Sequence, residues 1–174
     1  GGRQIMGKIV IHIKQHTYPR DKDIEQLIAY ISGHGKHHKQ KVYYRNAYGV
    51  STSYQKAPHQ MIQVQKYYKK NSKRRMYHMI ISFPKDYRFN RICAIELADS
   101  IAQQFSNEYQ IFFAIHNDTD NLHIHYAINS VSFQTGKKLH TSKEELKEIK
   151  QNILSLVNAI HKHYYPYIHR DLQL

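Results

Sequence analysis

The chain has 174 residues, 41% of them hydrophobic, which suits one domain with a real core and excludes a disordered chain. No apolar run approaches the roughly 20 residues of a membrane helix, and the single cysteine, Cys93, excludes an internal disulfide and a zinc site built on several thiolates. Lys plus Arg number 26 against 13 for Asp plus Glu, a net charge of +13 that favours polyanions through phosphate contacts and counterion release.

The start of the chain has no secretory signal; Gly1 to Ile5 read as a leader ahead of a natural start at Met6, and lone-cysteine usage fits a reducing cytoplasm. Lys8 to Lys14 alternates, with Ile9, Ile11 and Ile13 on one face, and reads as a strand. Asp21 to Ser32 carries Ile24, Leu27, Ile28 and Ile31 at helical spacing, with Asp21 and Asp23 in its first turn and Gly33 and Gly35 after it. Tyr30 lies at the margin of that apolar stripe, where a ring can be held while its hydroxyl stays exposed.

Val42 to Tyr48 reads as a strand and Pro58 to Lys69 as a short helix with Pro58 near its start. A basic stretch follows, Lys69-Lys70-Asn71-Ser72-Lys73-Arg74-Arg75, which fits a solvated loop and a DNA-backbone contact equally. Met76 to Phe83 reads as a strand, with His78 and Ser82 on its polar face. Asn90 to Asn107 reads as an amphipathic helix holding Cys93 as a small buried hydrophobe, and Tyr109 to His116 and Leu122 to Val131 as two strands. A long helix from Ser142 to Tyr164 opens on the capping pattern Ser142-Lys143-Glu144-Glu145. These elements predict one α/β (α+β) domain over residues 1–174, with an antiparallel or mixed central sheet and helices mainly on one face.

The most informative stretch is His116-Asn117-Asp118-Thr119-Asp120-Asn121-Leu122-His123-Ile124-His125, two strands around an Asn/Asp-rich turn. Leu122, Ile124, Tyr126 and Ile128 point one way, and His123, His125, Ala127 and Asn129 the other. Pairing the apolar faces of the two strands brings His116, His123 and His125 to one side, at the turn end of the hairpin. Three imidazoles describe a catalytic divalent-metal site with open positions. Ala114 and Ala127 predict space over the sheet beside them. His78 reads as a polar residue within the sheet. The charge makes Arg74, Arg75, Lys137 and Lys138 candidate phosphate contacts.

The pattern His116-x-Asp118-x-x-x-x-His123-x-His125 resembles the metal motif of mobilisation relaxases of the P type (MOBP), in the HUH endonuclease superfamily. Gln26-Leu27-Ile28-Ala29-Tyr30-Ile31-Ser32 resembles their first motif, whose tyrosine is the nucleophile. His78-Met79-Ile80-Ile81-Ser82-Phe83 resembles the second, whose serine contacts DNA near the cut. Asn129 to Ser132 and Thr135 to Lys138 continue the likeness.

The resemblance implies an HUH fold with an RRM-like palm, forming the relaxase domain of a longer protein. It implies a divalent ion on His116, His123 and His125, with Mg2+ or Mn2+ favoured over Zn2+, Ni2+ or Co2+. Tyr30 would attack the scissile phosphate of a single strand at an origin of transfer, leaving a 5′-phosphotyrosyl link and a free 3′-hydroxyl. Asp118 would orient a ligand histidine or help remove the tyrosine proton. Hairpin or single-stranded DNA is the implied partner, together with accessory relaxosome proteins and a type IV secretion coupling protein. Tyr43, Tyr44 and Tyr48 remain rival nucleophiles, because the first motif is weak alone. Rival functions are a rolling-circle initiator or single-tyrosine transposase with the same chemistry, a non-enzymatic RRM-like RNA-binding module, and a structural metal protein.

Overall fold

The computed structural model describes residues 7–36, 41–85, 87, 89–117, 121–168 and 171–174. In chain order the elements are β1 (Val10–Ile13), α1 (Asp21–Ile31), β2 (Val42–Tyr48), α2 (Ala57–Tyr67), β3 (Met76–Ser82), α3 (Arg91–Gln103), β4 (Ile111–His116), β5 (His123–Asn129) and α4 (Lys143–Tyr164). The five strands form one sheet in the order β1-β3-β5-β4-β2, and every neighbouring pair is antiparallel.

Local chemistry explains most of the boundaries. The helix α4 starts where Ser142 accepts a hydrogen bond from the Glu145 amide at 3.2 Å and donates to its carboxylate. The Asn90 side chain caps α3 by accepting from the Cys93 amide at 2.7 Å. That helix ends at Gln103, short of the Asn107 expected from its apolar pattern, and the chain passes through successive turns before β4. Helix α1 is opened by Asp23, whose carboxylate accepts from the Arg20 backbone and guanidinium. It closes in a Schellman arrangement. Gly33, at φ 88, donates to the Tyr30 carbonyl, and the His34 amide donates to the Ala29 carbonyl at 2.8 Å.

The sheet divides the molecule into two cores. Tyr77, Met79, Ile81, Phe113, Ile115, Ile124, Tyr126 and Ile128 pack with α3 and α4 residues such as Leu97, Ile101, Ile153 and Val157. On the opposite face Phe112, Ala114, Ala127 and Met76 pack with Ile24, Leu27, Ile28 and Ile31 of α1 and Met61 and Ile62 of α2. The α+β class and antiparallel sheet agree with the sequence, but the helices do not lie mainly on one face: two cover each side. The small alanines do leave room over the sheet, and α1 uses it to come close, burying Ile24, Ile28 and Ile31 completely. Burial on that scale contributes about 1.5–3 kcal/mol for each isoleucine.

Candidate active site

The histidine-bearing side of the sheet is the α1 side. Strand alternation puts Ile124, Tyr126 and Ile128 into the α3/α4 core and turns His123 and His125 the other way. His116 pairs with His123 across β4 and β5, and His123 pairs with Ser82 on β3. His125 and His116 are 6% and 1% exposed, whereas His123 and Ser82 are only half-buried.

Helix α1 lays Tyr30 over this group. Its ring centroid is 5.7 Å from that of His125, 6.0 Å from His116 and 6.1 Å from His78, edge-on to each. The same turn of helix supplies an anchor: His116 donates from Nε2 to the Ile31 carbonyl at 2.8 Å. A carbonyl can only accept, so the proton sits on Nε2 and a neutral His116 ring carries its lone pair on Nδ1. The imidazoles of His116 and His125 stack at 4.0 Å.

His78 belongs to the same cluster. Its Nε2 lies 2.9 Å from Nδ1 of His125, so the two rings share one proton donor and one acceptor. Burial first, then the nearby Lys14, His116 and His12, lower the His78 pKa to about 3. Burial first, then His116, His78, His123 and Lys14, lower that of His125 to about 2. Both rings are therefore neutral at physiological pH and able to act as lone-pair donors. Among the described residues no three His, Cys, Asp or Glu side chains stand ready as an ion cage. The donor chemistry of His116, His123 and His125 nonetheless fits a divalent ion, since each is an imidazole facing one side of one hairpin. Asp118 lies outside the described residues.

The rival tyrosines lie elsewhere. Tyr43, Tyr44 and Tyr48 pack against the α3/α4 core on the opposite face. The Tyr44 hydroxyl donates to Asp99 at 2.7 Å, Tyr48 accepts from Gln103, and the Tyr43 ring faces the Arg91 guanidinium.

The four basic candidates separate. Lys137 is exposed. Arg75 is not a surface cation: it is 2% exposed, and its guanidinium donates to Gln65, to the Pro19 carbonyl and to Asp21 at 2.7 Å. Arg74 is half-buried over the Tyr77 ring and donates to the Lys14, Gln15 and His16 carbonyls, clamping the segment between β1 and α1. Lys138 donates to the Ser72 and Arg74 carbonyls, and burial lowers its pKa, with Lys73, Lys70 and Arg75 adding to the effect. Arg74, Arg75 and Lys138 thus all help to hold the basic loop in shape, and of the three Arg75 is the one buried away from the surface.

Sequence reading undervalued Lys14, His12 and His78, which approach the cluster from the β1 and β3 side. Lys14, His16, Gln26, Tyr30 and His78 line a cavity of about 300 Å³. The available signal was strand parity: His12 falls in register with Ile80, and the Lys14 amide bonds to the His78 carbonyl.

A model of the relaxase MobA/VirD2-like nuclease domain matches residues 30–161. The chain belongs to that relaxase family. Two proteins named "Protein rlx" from Staphylococcus aureus are 38% and 36% identical over 56 residues, 32% of this chain. Those matches take in 17% and 18% of the relatives' own length. A solved structure described as "Molecular Basis of Vancomycin Resistance Transfer in Staphylococcus aureus" superposes with a TM-score of 0.70 over 96% of this chain and 98% of that one, at 15% identity, and so shares the fold. An RRM-like RNA module would present an open aromatic sheet face; this relaxase domain covers one face with α1 and α2 and the other with α3 and α4. Among the described residues no helix is long and apolar enough to cross a membrane.

Proposed function

We propose that this relaxase domain nicks one strand of DNA at an origin of transfer by transesterification and later rejoins it. The observation that carries the reading is the ring of Tyr30 standing within 5.7–6.1 Å of His78, His116 and His125. The Tyr30 oxygen attacks the scissile phosphorus in line and loses its proton to a base, while the P–O3′ bond breaks and the leaving oxygen takes up a proton. The products are a 5′-phosphotyrosyl link and a 3′-hydroxyl. A phenoxide is a good leaving group, so the link stores the phosphodiester energy and the reverse reaction reseals the strand.

His116, His123 and His125 would hold a divalent ion, Mg2+ or Mn2+ in the first instance, which when bound would supply charge neutralisation to the scissile phosphate. His78 holds the His125 ring, and Asp118 orients a ligand histidine or takes the tyrosine proton. Ser82 and Lys137 contact the strand. Single-stranded or hairpin DNA is the substrate, relaxosome proteins and a secretion coupling protein are the partners, and the bacterial cytoplasm, with passage to a recipient cell, is the setting.

The test is incubation with a labelled single strand from the transfer origin, followed by a denaturing gel. A labelled species at the protein's mass plus that of the strand fragment, abolished by a chelator, is expected. Free nicked strand without an adduct would point to hydrolysis by a bound water instead.

A further inference from the structure

A second, larger cavity, which the cleavage chemistry does not use, takes none of its described lining from His78, His116, His123 or His125. It measures about 800 Å³ and lies between α1 and the start of α2. Tyr30 forms part of its wall. His34 and Tyr54 line the same cavity, and their rings stack face to face, 4.0 Å apart and 9° from parallel. This flat pair is rigid for identifiable reasons. The Schellman turn ties the His34 amide to Ala29, His34 Nδ1 lies 3.0 Å from the Ser32 hydroxyl, and Tyr54 packs onto the α1/α2 core. His34 itself is exposed, so the outer face of its ring is available for stacking. Lys22 and Lys36 line the cavity against the single carboxylate of Glu25, and Gln55 adds an amide that can donate and accept.

An aromatic platform flanked by cations is what an unpaired nucleotide needs: a π face for its base and positive charge for its phosphate. We propose that this cavity receives the first nucleotide on the 3′ side of the nick, its base stacked on His34. The inference rests on Tyr30 being the nucleophile. In an in-line displacement the leaving 3′-oxygen departs opposite the tyrosine oxygen, carrying the upstream nucleotide away from α1. The downstream nucleotide remains on the phosphorus through its 5′-oxygen and hangs beside the Tyr30 ring, where the cavity lies. After cleavage the same contacts hold the covalently attached end for resealing.

The experiment uses a synthetic single strand spanning the nick, in versions with one abasic position on the 3′ or the 5′ side, and measures affinity by fluorescence anisotropy. Loss of the 3′-side base should weaken binding about tenfold in the wild-type protein, and should have almost no effect in His34→Ala, which already lacks the platform. A 4-thiothymidine at that position should crosslink to the peptides carrying His34 or Tyr54. His34→Ala alters an exposed side chain, so its melting temperature serves as the folding check. An abasic penalty equally large in wild type and His34→Ala, or crosslinks confined to other peptides, would overturn the assignment. If the strand forms the covalent adduct yet shows no such coupling, the pocket inference alone fails; if no adduct forms, the nucleophile and the pocket fall together.

Discussion

His78 on β3 and His125 on β5 meet through their ring nitrogens at 2.9 Å, beneath the ring of Tyr30. Whichever nitrogen carries the shared proton, the contact fixes the orientation of His125 and selects its tautomer. A partner of this kind typically changes metal affinity by about tenfold to a hundredfold when removed. His78→Ala should therefore weaken Mn2+ binding in calorimetry by that factor while one ion still binds, whereas His125→Ala should abolish binding. Equal affinity in His78→Ala and wild type would remove His78 from the site.

Arg75 offers a prediction of a different kind. Its side chain is buried and bonds to Gln65, Pro19 and Asp21 at once. Arg75→Ala should cost about 3 kcal/mol of stability in urea unfolding, since it leaves partners of a charged group unsatisfied. It should not change the salt dependence of DNA binding. Lys137→Ala should do the reverse, leaving stability within about 0.5 kcal/mol and reducing the slope of log K against log salt by about 0.7. An Arg75 variant that folds as well as wild type and lowers that slope would restore it as a phosphate contact.

Acid should weaken the fold through α1. Hydrogen bonding from Arg75 lowers the Asp21 pKa, and hydrogen bonding from Arg20 lowers that of Asp23. Depressed folded-state values mean that the stability these carboxylates contribute is present above their unfolded pKa, near 4, and is lost as pH falls through the folded values. Unfolding free energy should decline below about pH 4, and Asp21→Asn should flatten that decline. A decline of the same steepness in Asp21→Asn would show that other groups govern it.

The parts of this domain that the sequence displayed are those governed by local periodicity. Alternation along His123 to Asn129 separated the histidines from Ile124, Tyr126 and Ile128, and the stripe of Ile24, Leu27, Ile28 and Ile31 marked α1 and its buried face. Ser142 announced the start of α4 because its cap is made three residues away. What stayed hidden depends on distant partners. A run of lysines and arginines looks the same whether solvated or internal, and only the fold brings Gln65 and Asp21 to Arg75. Nothing in β3 alone says that it lies beside β5, which is what joins His78 to His125. Amphipathic helices likewise reveal a buried face without saying which side of the sheet receives it, so the division of α1 and α2 from α3 and α4 emerged only from the structure.

Covalent attachment of Tyr30 to DNA can be read by mass spectrometry of the digested adduct. The nucleotide-bearing peptide should contain Tyr30. Tyr30→Phe, which removes one oxygen from a half-buried ring, should abolish the adduct while leaving folding, ion binding and DNA affinity nearly unchanged. Attachment to Tyr43, Tyr44 or Tyr48, on the opposite face of the sheet, or an adduct that persists in Tyr30→Phe, would contradict it.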